Sequence, residues 1–412
     1  MREGWEYKKL GEVCNILNGY AFKSSKYTNS GTRIIRITNV QKGYVIDNDP
    51  KYYSDDDIKN LTQYSLREGD LVMSLTGNVG RVGMLQKSML PAALNQRVAC
   101  IRTKSDEISL NYLFHLFNSD VFERAAIRSA RGIAQLNMST EWLKEHTIPL
   151  PPKSTQLAIV SELDKIKELI RLKKEQLKDF DNLAQSIFYE MFGDPVENDK
   201  GWEVKTLGEM STCITNGNTP KGGSLVYVDK GILFLRSQNV WKNRFDLEDV
   251  AYIDEATHQS MQRSSLHKND ILITKTGRIN TENSSLGRTA LYIGEDNTAN
   301  INGHVYLVRL KKDVPAKYIL YILISKSYYE LIRKTCVGGI DKRQLNLNHI
   351  ENFPIPNPPL EQQEVFVRCV EAIEHQKAEA QKAIADLETL LASRMQYWFE
   401  LIHSSSDRHK RE

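Results

Sequence analysis

Three kinds of motif in this 412-residue chain carry residue types whose spacing could do chemistry. Asn357-Pro358-Pro359 resembles the Asn-Pro-Pro-aromatic loop with which adenine methyltransferases hold a flipped base, but Leu360 stands where the stacking ring is needed. The corresponding Leu150-Pro151-Pro152 lacks even the asparagine, so both stretches read as strand-ending joints. Glu6-Tyr7-Lys8 and Glu203-Val204-Lys205 have the Glu-x-Lys half of a nuclease metal site, with no suitably placed upstream Pro-Asp to complete it. Gly77-Asn78-Val79-Gly80-Arg81-Val82-Gly83 is glycine-rich but matches neither the dinucleotide fingerprint nor a phosphate loop. It reads as a turn whose backbone can approach something closely. The five cysteines (Cys14, Cys100, Cys213, Cys336, Cys369) are scattered, with no spacing that suggests zinc or a disulfide framework. No catalytic residue and no metal site is read.

What remains is recognition chemistry. Polar side chains with fork geometry gather near expected strand ends and glycine loops. In the first half these are Lys23, Arg36, Asn39, Asn78, Arg81, Asn95, Gln96, Arg97 and Arg131. In the second half they are Lys221, Arg236, Gln238, Asn239, Lys275, Arg278, Arg288, Asn302, His304, Lys342 and Arg343. Arginine pairs with guanine edges, asparagine and glutamine with adenine edges, and lysine with phosphate. The repeated identities Arg36/Arg236 and Asn39/Asn239 are open to a second reading, as framework. The loops that differ, Asn78–Arg81 against Arg278–Arg288, are the better candidates for reading different sequences. A second such pair is Gly132–Asn137 and Gly338–Asn346.

The elements that must position these residues occur twice. Residues 4–13 (Gly-Trp-Glu-Tyr-Lys-Lys-Leu-Gly-Glu-Val) return at 201–210 with seven of ten positions identical. Arg36, Asn39 and Val40 return as Arg236, Asn239 and Val240; Ser65-Leu66, Asp70 and Thr76-Gly77 return as Ser265-Leu266, Asp270 and Thr276-Gly277. Ile148–Pro152 returns as Ile355–Pro359. A period of roughly 200 residues means two whole domains, not a solenoid. Within each copy, β-branched or alternating runs predict strands at Arg33–Val40, Asp70–Leu75 and Gln96–Arg102, and at Leu233–Val240, Asp270–Thr274 and Val305–Leu310. Ser54-Asp55-Asp56-Asp57 and Asp254 read as helix starts. Leu110–Ser129 and Tyr318–Thr335 read as one or two amphipathic helices each. The fold class is α+β with a mixed or antiparallel sheet.

After each proline joint the pattern changes to a seam with alternating spacings of four and three. Ile159, Leu163, Ile166, Ile170, Leu177, Phe180 and Ile187 carry it in the first copy, with Ala184 and Met191, and only Lys173 interrupts it. Phe366, Val370, Ile373, Ile384, Leu387, Leu391 and Trp398 carry it in the second, in the same register with Lys377, Ala380 and Arg394. Such a seam is the coiled-coil pattern. The two helices are expected to pair antiparallel and to hold the domains apart, about 36 residues each spanning roughly 54 Å. The expected domains are 1–152, a central helix at 153–193, a second domain at 194–359, a C-terminal helix at 360–403, and a flexible tail at 404–412.

Composition bounds the rest. With 41% hydrophobic and 26% charged residues the chain is ordinary for a soluble protein, and its longest apolar stretch, Tyr318–Ile324, is far short of a membrane span. No signal peptide is visible, so a cytoplasmic location is expected. Net charge is only +3, so any nucleic-acid surface must be local.

In this order, and twice over, these features resemble the specificity subunit of a Type I restriction–modification system. The carriers are the Gly-Trp-Glu…Leu-Gly-Glu segments, Gly69-Asp70-Leu71 and Asn269-Asp270-Ile271, Gln135-Leu136-Asn137 and Gln344-Leu345-Asn346, and the Ile-Pro-x-Pro-Pro joints with Gln156 and Gln363. The resemblance implies two target recognition domains, each binding one half of a bipartite asymmetric target in double-stranded DNA, joined by two antiparallel helices. It implies a non-catalytic chain without a cofactor of its own. Two modification subunits would carry S-adenosylmethionine, and restriction subunits would join through them. A specificity chain of a modification-only complex and a self-contained DNA methyltransferase are the alternatives. Family members with different targets do not share base-contacting residues, so none carries over.

Overall fold

The computed structural model describes residues 4–130, 132, 136–281 and 283–400. The chain divides into two compact units: Met1–Lys174 with Gln381–Glu412, and Glu175–Ala380. Each unit contains one α+β domain and one end of each of two long helices. The expected tail at 404–412 lies outside the described residues.

In both units the two most strongly repeated motifs turn out to be partners. Glu6–Lys9 pairs antiparallel with Thr147–Leu150, in register Glu6↔Leu150 through Lys9↔Thr147. Val204–Thr206 pairs likewise with Pro354–Pro356. The start of each domain is thus clipped to its end, and the proline joint leaves this two-stranded sheet directly into a long helix. Prolines are tolerated because such a sheet is all edge.

The centre of the first unit is an antiparallel sheet ordered Cys14–Asn18, Val98–Thr103, Leu71–Ser74, Val82–Met84. Its middle strand Leu71–Ser74 is buried throughout, which explains a continuous apolar run in place of alternation. A smaller sheet of Tyr52–Tyr53, Thr32–Ile35 and Ala92–Leu94 adds one parallel pairing, Thr32–Ile35 with Ala92–Leu94. The second unit repeats both, with Ser211–Asn216, Val305–Leu310, Ile271–Thr274 and Thr289–Leu291 in the central sheet. Asp70 is bound bidentately by Arg102, at 2.7 and 2.6 Å, and Asp270 by Arg309, at 2.9 and 2.7 Å. The repeated aspartates therefore pin one central strand to its neighbour.

Several expected boundaries shift for local reasons. The strand expected over Arg33–Val40 stops at Ile35, because the Asn39 side chain takes the Arg36 N–H at 2.9 Å and closes a turn. Leu110–Ser129 is two helices, Leu110–Phe117 and Asp120–Ser129, the second capped by Ser119, whose Oγ accepts from the Phe122 N–H at 3.3 Å. Ser54 caps Asp55–Ile58, and Asp254 caps Glu255–Ser260. Two short helices, Thr140–Glu145 and Leu347–Glu351, are too brief to show a period in the sequence.

The long helices are Lys153–Phe192 and Leu360–Phe399. In the first unit, the N-terminal part of the first helix lies beside the C-terminal part of the second. Glu162 is bridged there by Arg394, with Nη2 at 3.1 Å, and by the Trp398 Nε1–H at 3.0 Å, while Lys174 pairs with Glu388 at 2.8 Å. Partner numbers fall as helix numbers rise, so the packing is antiparallel. In the second unit Lys377 pairs with Asp181 at 2.5 Å in the same sense.

Of the seam, Ile159, Leu163, Ile166, Ile170 and Ile384 are buried in the first unit, as are Phe366, Val370 and Ile373 in the second. Leu177, Phe180, Ile187, Leu387, Leu391 and Trp398 are half-buried. Phe188, Phe192 and Phe399, off the narrow seam, are buried completely, because the helix ends also pack into the domain cores. Each helix therefore packs both on a domain core and on its partner helix. No helix among the described residues is long and apolar enough to cross a membrane.

Candidate nucleic-acid interface

Backbone hydrogen bonds at one end of each central sheet gather loops that are far apart in sequence. In the first unit Tyr20 N–H donates to Leu94 O and Gln96 N–H to Tyr20 O, both at 2.9 Å, while Asn95 N–H reaches Ile35 O at 3.2 Å. Leu75 N–H donates to Arg97 O at 2.9 Å, Gly77 N–H to Leu136 O at 2.9 Å, and Met138 N–H to Leu75 O at 2.8 Å. The segments bearing Lys23, Arg36, Asn78, Arg81, Asn95, Gln96 and Arg97 thereby share one rim. Glycine permits the closest approach: a Cβ on Gly19 would sit 2.1 Å from Asn95 O, and one on Gly217 would sit 2.0 Å from Ile301 O.

The second unit builds the same rim. Asn302 N–H donates to Leu235 O at 3.0 Å, Lys275 N–H to His304 O at 2.8 Å, and Leu345 N–H to Lys275 O at 2.9 Å. Its glycine loop carries regular structure: Thr276–Arg278 forms a three-stranded sheet with Lys342–Gln344 and Val337–Gly338. That sheet collects Lys275, Arg278, Lys342 and Arg343, with Arg278 paired to Asp341 at 3.3 Å.

Within each rim the candidates divide. Asn39 and Asn239 are buried, and both ends of each amide are used: Oδ1 accepts from Arg36 or Arg236 N–H at 2.9 Å, and Nδ2 donates to Ile46 O or Asp246 O at 2.9 Å. Arg36 and Arg236 bond Asp49 O and Asp249 O at 2.5 and 2.7 Å and pair with the same aspartates. These four side chains hold their own turns, as the framework reading of the repeated identities expects. Asn95 and Asn302 cap their own turns, accepting from Arg97 N–H at 3.2 Å and His304 N–H at 3.0 Å. Gln238 donates to Asp249 and is turned toward its own loop. Lys23, Asn78, Gln96, Arg97, Lys221, Arg278, His304 and Lys342 are exposed, and Arg81, Lys275, Arg288 and Arg343 are half-buried. Arg131 and residues 133–135 lie outside the described residues.

Two features were invisible to residue type alone. Arg81 is held by Gln41 at 2.9 Å, whereas Arg288, at the equivalent start of the Thr289–Leu291 strand, lies 3.7 Å from the centroid of Trp241. Arg244 lies over the same ring at 4.9 Å. Burial pushes the Arg288 pKa down, and the nearby Arg244 charge pushes the same way. Only the substitution of Gln41 by Trp241 next to the shared Val40/Val240 hints at this in the sequence. As to chemistry, no group of three or more His, Cys, Asp or Glu residues among those described could hold a metal ion. Burial also pushes the Cys14 thiol up to about 12, the opposite of a nucleophile.

Twice over, an α+β domain presents polar loops on one rim and packs the ends of two paired helices into its core, a duplicated recognition architecture. The chain belongs to the family of Type I restriction modification DNA specificity domains, whose model matches residues 2–179 and 199–389, one copy per repeat. It is 24% identical over 398 residues to the specificity subunit of the Type I restriction enzyme EcoBI of Escherichia coli, covering 90% of this chain and 80% of that one. Its fold matches a solved chain of the Type I R-M system with a TM-score of 0.60 at 20% identity, covering 96% and 97% of the two chains. It also matches the S subunit from M. genitalium with a TM-score of 0.51 at 14% identity, covering 96% of each.

Proposed function

We propose that this chain is the DNA reader and assembly scaffold of a Type I restriction–modification complex, doing no bond chemistry itself. One observation carries the reading: the same rim of loops is built twice on one framework, with the framework residues repeated and the presented residues changed. Each domain would read one half of a split, asymmetric DNA target. Phosphate contacts would set register and the exposed forks would read bases. The paired helices would dock two modification subunits, which bind S-adenosylmethionine and methylate, and restriction subunits would join through these. A modification-only complex would use the same chain unchanged.

The test separates this role from a self-contained methyltransferase. Purified chain should show no saturable binding of labelled S-adenosylmethionine, and binding should appear only when modification subunits are added. Saturable binding by the chain alone, with base methylation, would contradict the proposal.

A further inference from the structure

The two rims differ in charge at one homologous place, the hairpin that follows the framework asparagine. In the first unit this hairpin is Val40–Gln41 with Tyr44–Val45, and in the second it is Val240–Trp241 with Arg244–Phe245. Lys42 and Lys242 sit at the two tips. Lys42 is neutralised: its Nζ lies 2.9 Å from Asp120 and 2.7 Å from Glu123, on the first turn of helix Asp120–Ser129.

The corresponding ten-residue helix of the second unit is Lys326–Thr335, capped by Ser325 as the first is by Ser119. Its equivalents of Asp120 and Glu123 are Lys326 and Tyr329. Both carboxylates are gone and one is replaced by a cation. Lys242 and Arg244 are exposed, and among the described residues neither side chain has an ion pair or hydrogen bond, Arg244 touching only the Trp241 ring.

Around them the second unit has built a rigid aromatic support. Trp241 donates its indole N–H to Gln238 O at 3.0 Å, which fixes the ring against its own hairpin. Arg288 is anchored by Nε–H to Ser284 O at 2.9 Å and Nη2–H to Asn283 O at 2.5 Å, with its guanidinium carbon 3.7 Å from the centroid of that ring. Arg333 donates to Tyr329 Oη at 3.0 Å and to Ile279 O, so helix and glycine loop are tied together beside the stack. Through Ile279 the cluster is continuous with Arg278 and the strand Lys342–Gln344.

The in-plane N–H groups of Arg288 are spent on holding the stack, whereas the unpaired cations beside it, Lys242 and Arg244, keep their counterions. Phosphates of a duplex, arriving in a row, match such a row of fixed and free cations. A lone surface lysine would be unremarkable; two unpaired cations on a braced aromatic hairpin, where the homologous hairpin is neutralised, are not.

We propose that the hairpin 240–245 of the second domain is a phosphate-backbone clamp, with Lys242 and Arg244 as its contacts and Trp241 and Arg288 as its brace, and that the first domain lacks the equivalent. This rests on the DNA-reading role proposed above and deepens it: the second half-site is held by more phosphate contacts than the first. Trp241 and Arg288 are positioning residues; Lys242 and Arg244 touch the ligand.

The test measures affinity for a mixed-sequence DNA duplex across a salt series, using the full chain assembled with its modification subunits. Lys242→Gln and Arg244→Gln should each lower the slope of log affinity against log salt by about 0.9, and the double variant by about twice that. Lys42→Gln, whose charge is already paired within its own unit, should leave the slope unchanged. The methylated sequence should be the same for all variants, since phosphate contacts carry no base information. An unchanged slope for the double variant, with wild-type complex binding DNA normally, would overturn the clamp and leave the DNA-reading role intact. Loss of complex assembly in the double variant would also overturn it, by assigning the hairpin to a protein partner. A wild-type complex that binds no DNA would instead bring down the DNA-reading role itself.

Discussion

At the scale of single residues, the two joint glutamines show how a framework diverges after duplication. Gln156 is satisfied on both sides: its Oε1 accepts from Ser109 N–H at 2.8 Å, and its Nε2 donates to Glu107 O and Pro151 O at 2.9 Å each. Gln363 donates to Pro358 O at 2.8 Å, but its buried Oε1 has no partner. The reason is one substitution: the residue equivalent to Ser109, at the start of helix Ala316–Leu323, is Pro315, which has no N–H to give. Pro315→Ser should restore that bond and supply a capping hydroxyl. Against it stands the larger entropy of a proline-free unfolded chain. A net gain of about 1 kcal/mol is expected from these opposing magnitudes, read as a rise in denaturant midpoint. A loss of stability would mean the orphaned oxygen costs nothing.

The same scale shows why sequence reading separates residue types better than roles. Asn39 and Arg36 have the right chemistry for base edges. What engages them within their own turn is contact with Ile46 O and Asp49, which no local pattern reveals. Conversely, Trp241 and Arg244 carry no motif, and what sets them apart is Arg288, distant from them in sequence but next to them in space.

At the scale of elements, the helix seam was legible because a four-three repeat survives any local context. Its width was not. Phe188, Phe192 and Phe366 form one aromatic cluster in the second unit, with centroids 5.4 to 5.5 Å apart, and Tyr318 closes it at 4.9 Å from Phe192. Burial concentrates there, at a helix end that meets a domain core, and thins toward Leu177, which is half-buried. Phe366→Ala should therefore cost about 3–5 kcal/mol, and Leu177→Ala about 1–2 kcal/mol, in unfolding of the full chain by denaturant. Equal costs would mean that the helices are stabilised evenly along the seam and not at their ends. The pairing of Glu6–Lys9 with Thr147–Leu150 was beyond reach of the sequence for a different reason. Both segments are recognisable as repeats, yet strand partners some 140 residues apart leave no periodic trace.

At the scale of the whole molecule, duplication explains both what is shared and what is not. Residues that build the turns, sheets and joints recur because each copy must fold in the same way. Residues presented on the two rims differ, as the proposed reading of two different half-sites requires. The central claim is that the copies read independently. It is tested most directly by replacing residues 1–150 with the matching segment of another family member and sequencing the methylated sites in cells carrying the modification subunits. One half of the methylated motif should change to that of the donor, while the other half stays as it was. A motif that changed in both halves, or in neither, would contradict the claim.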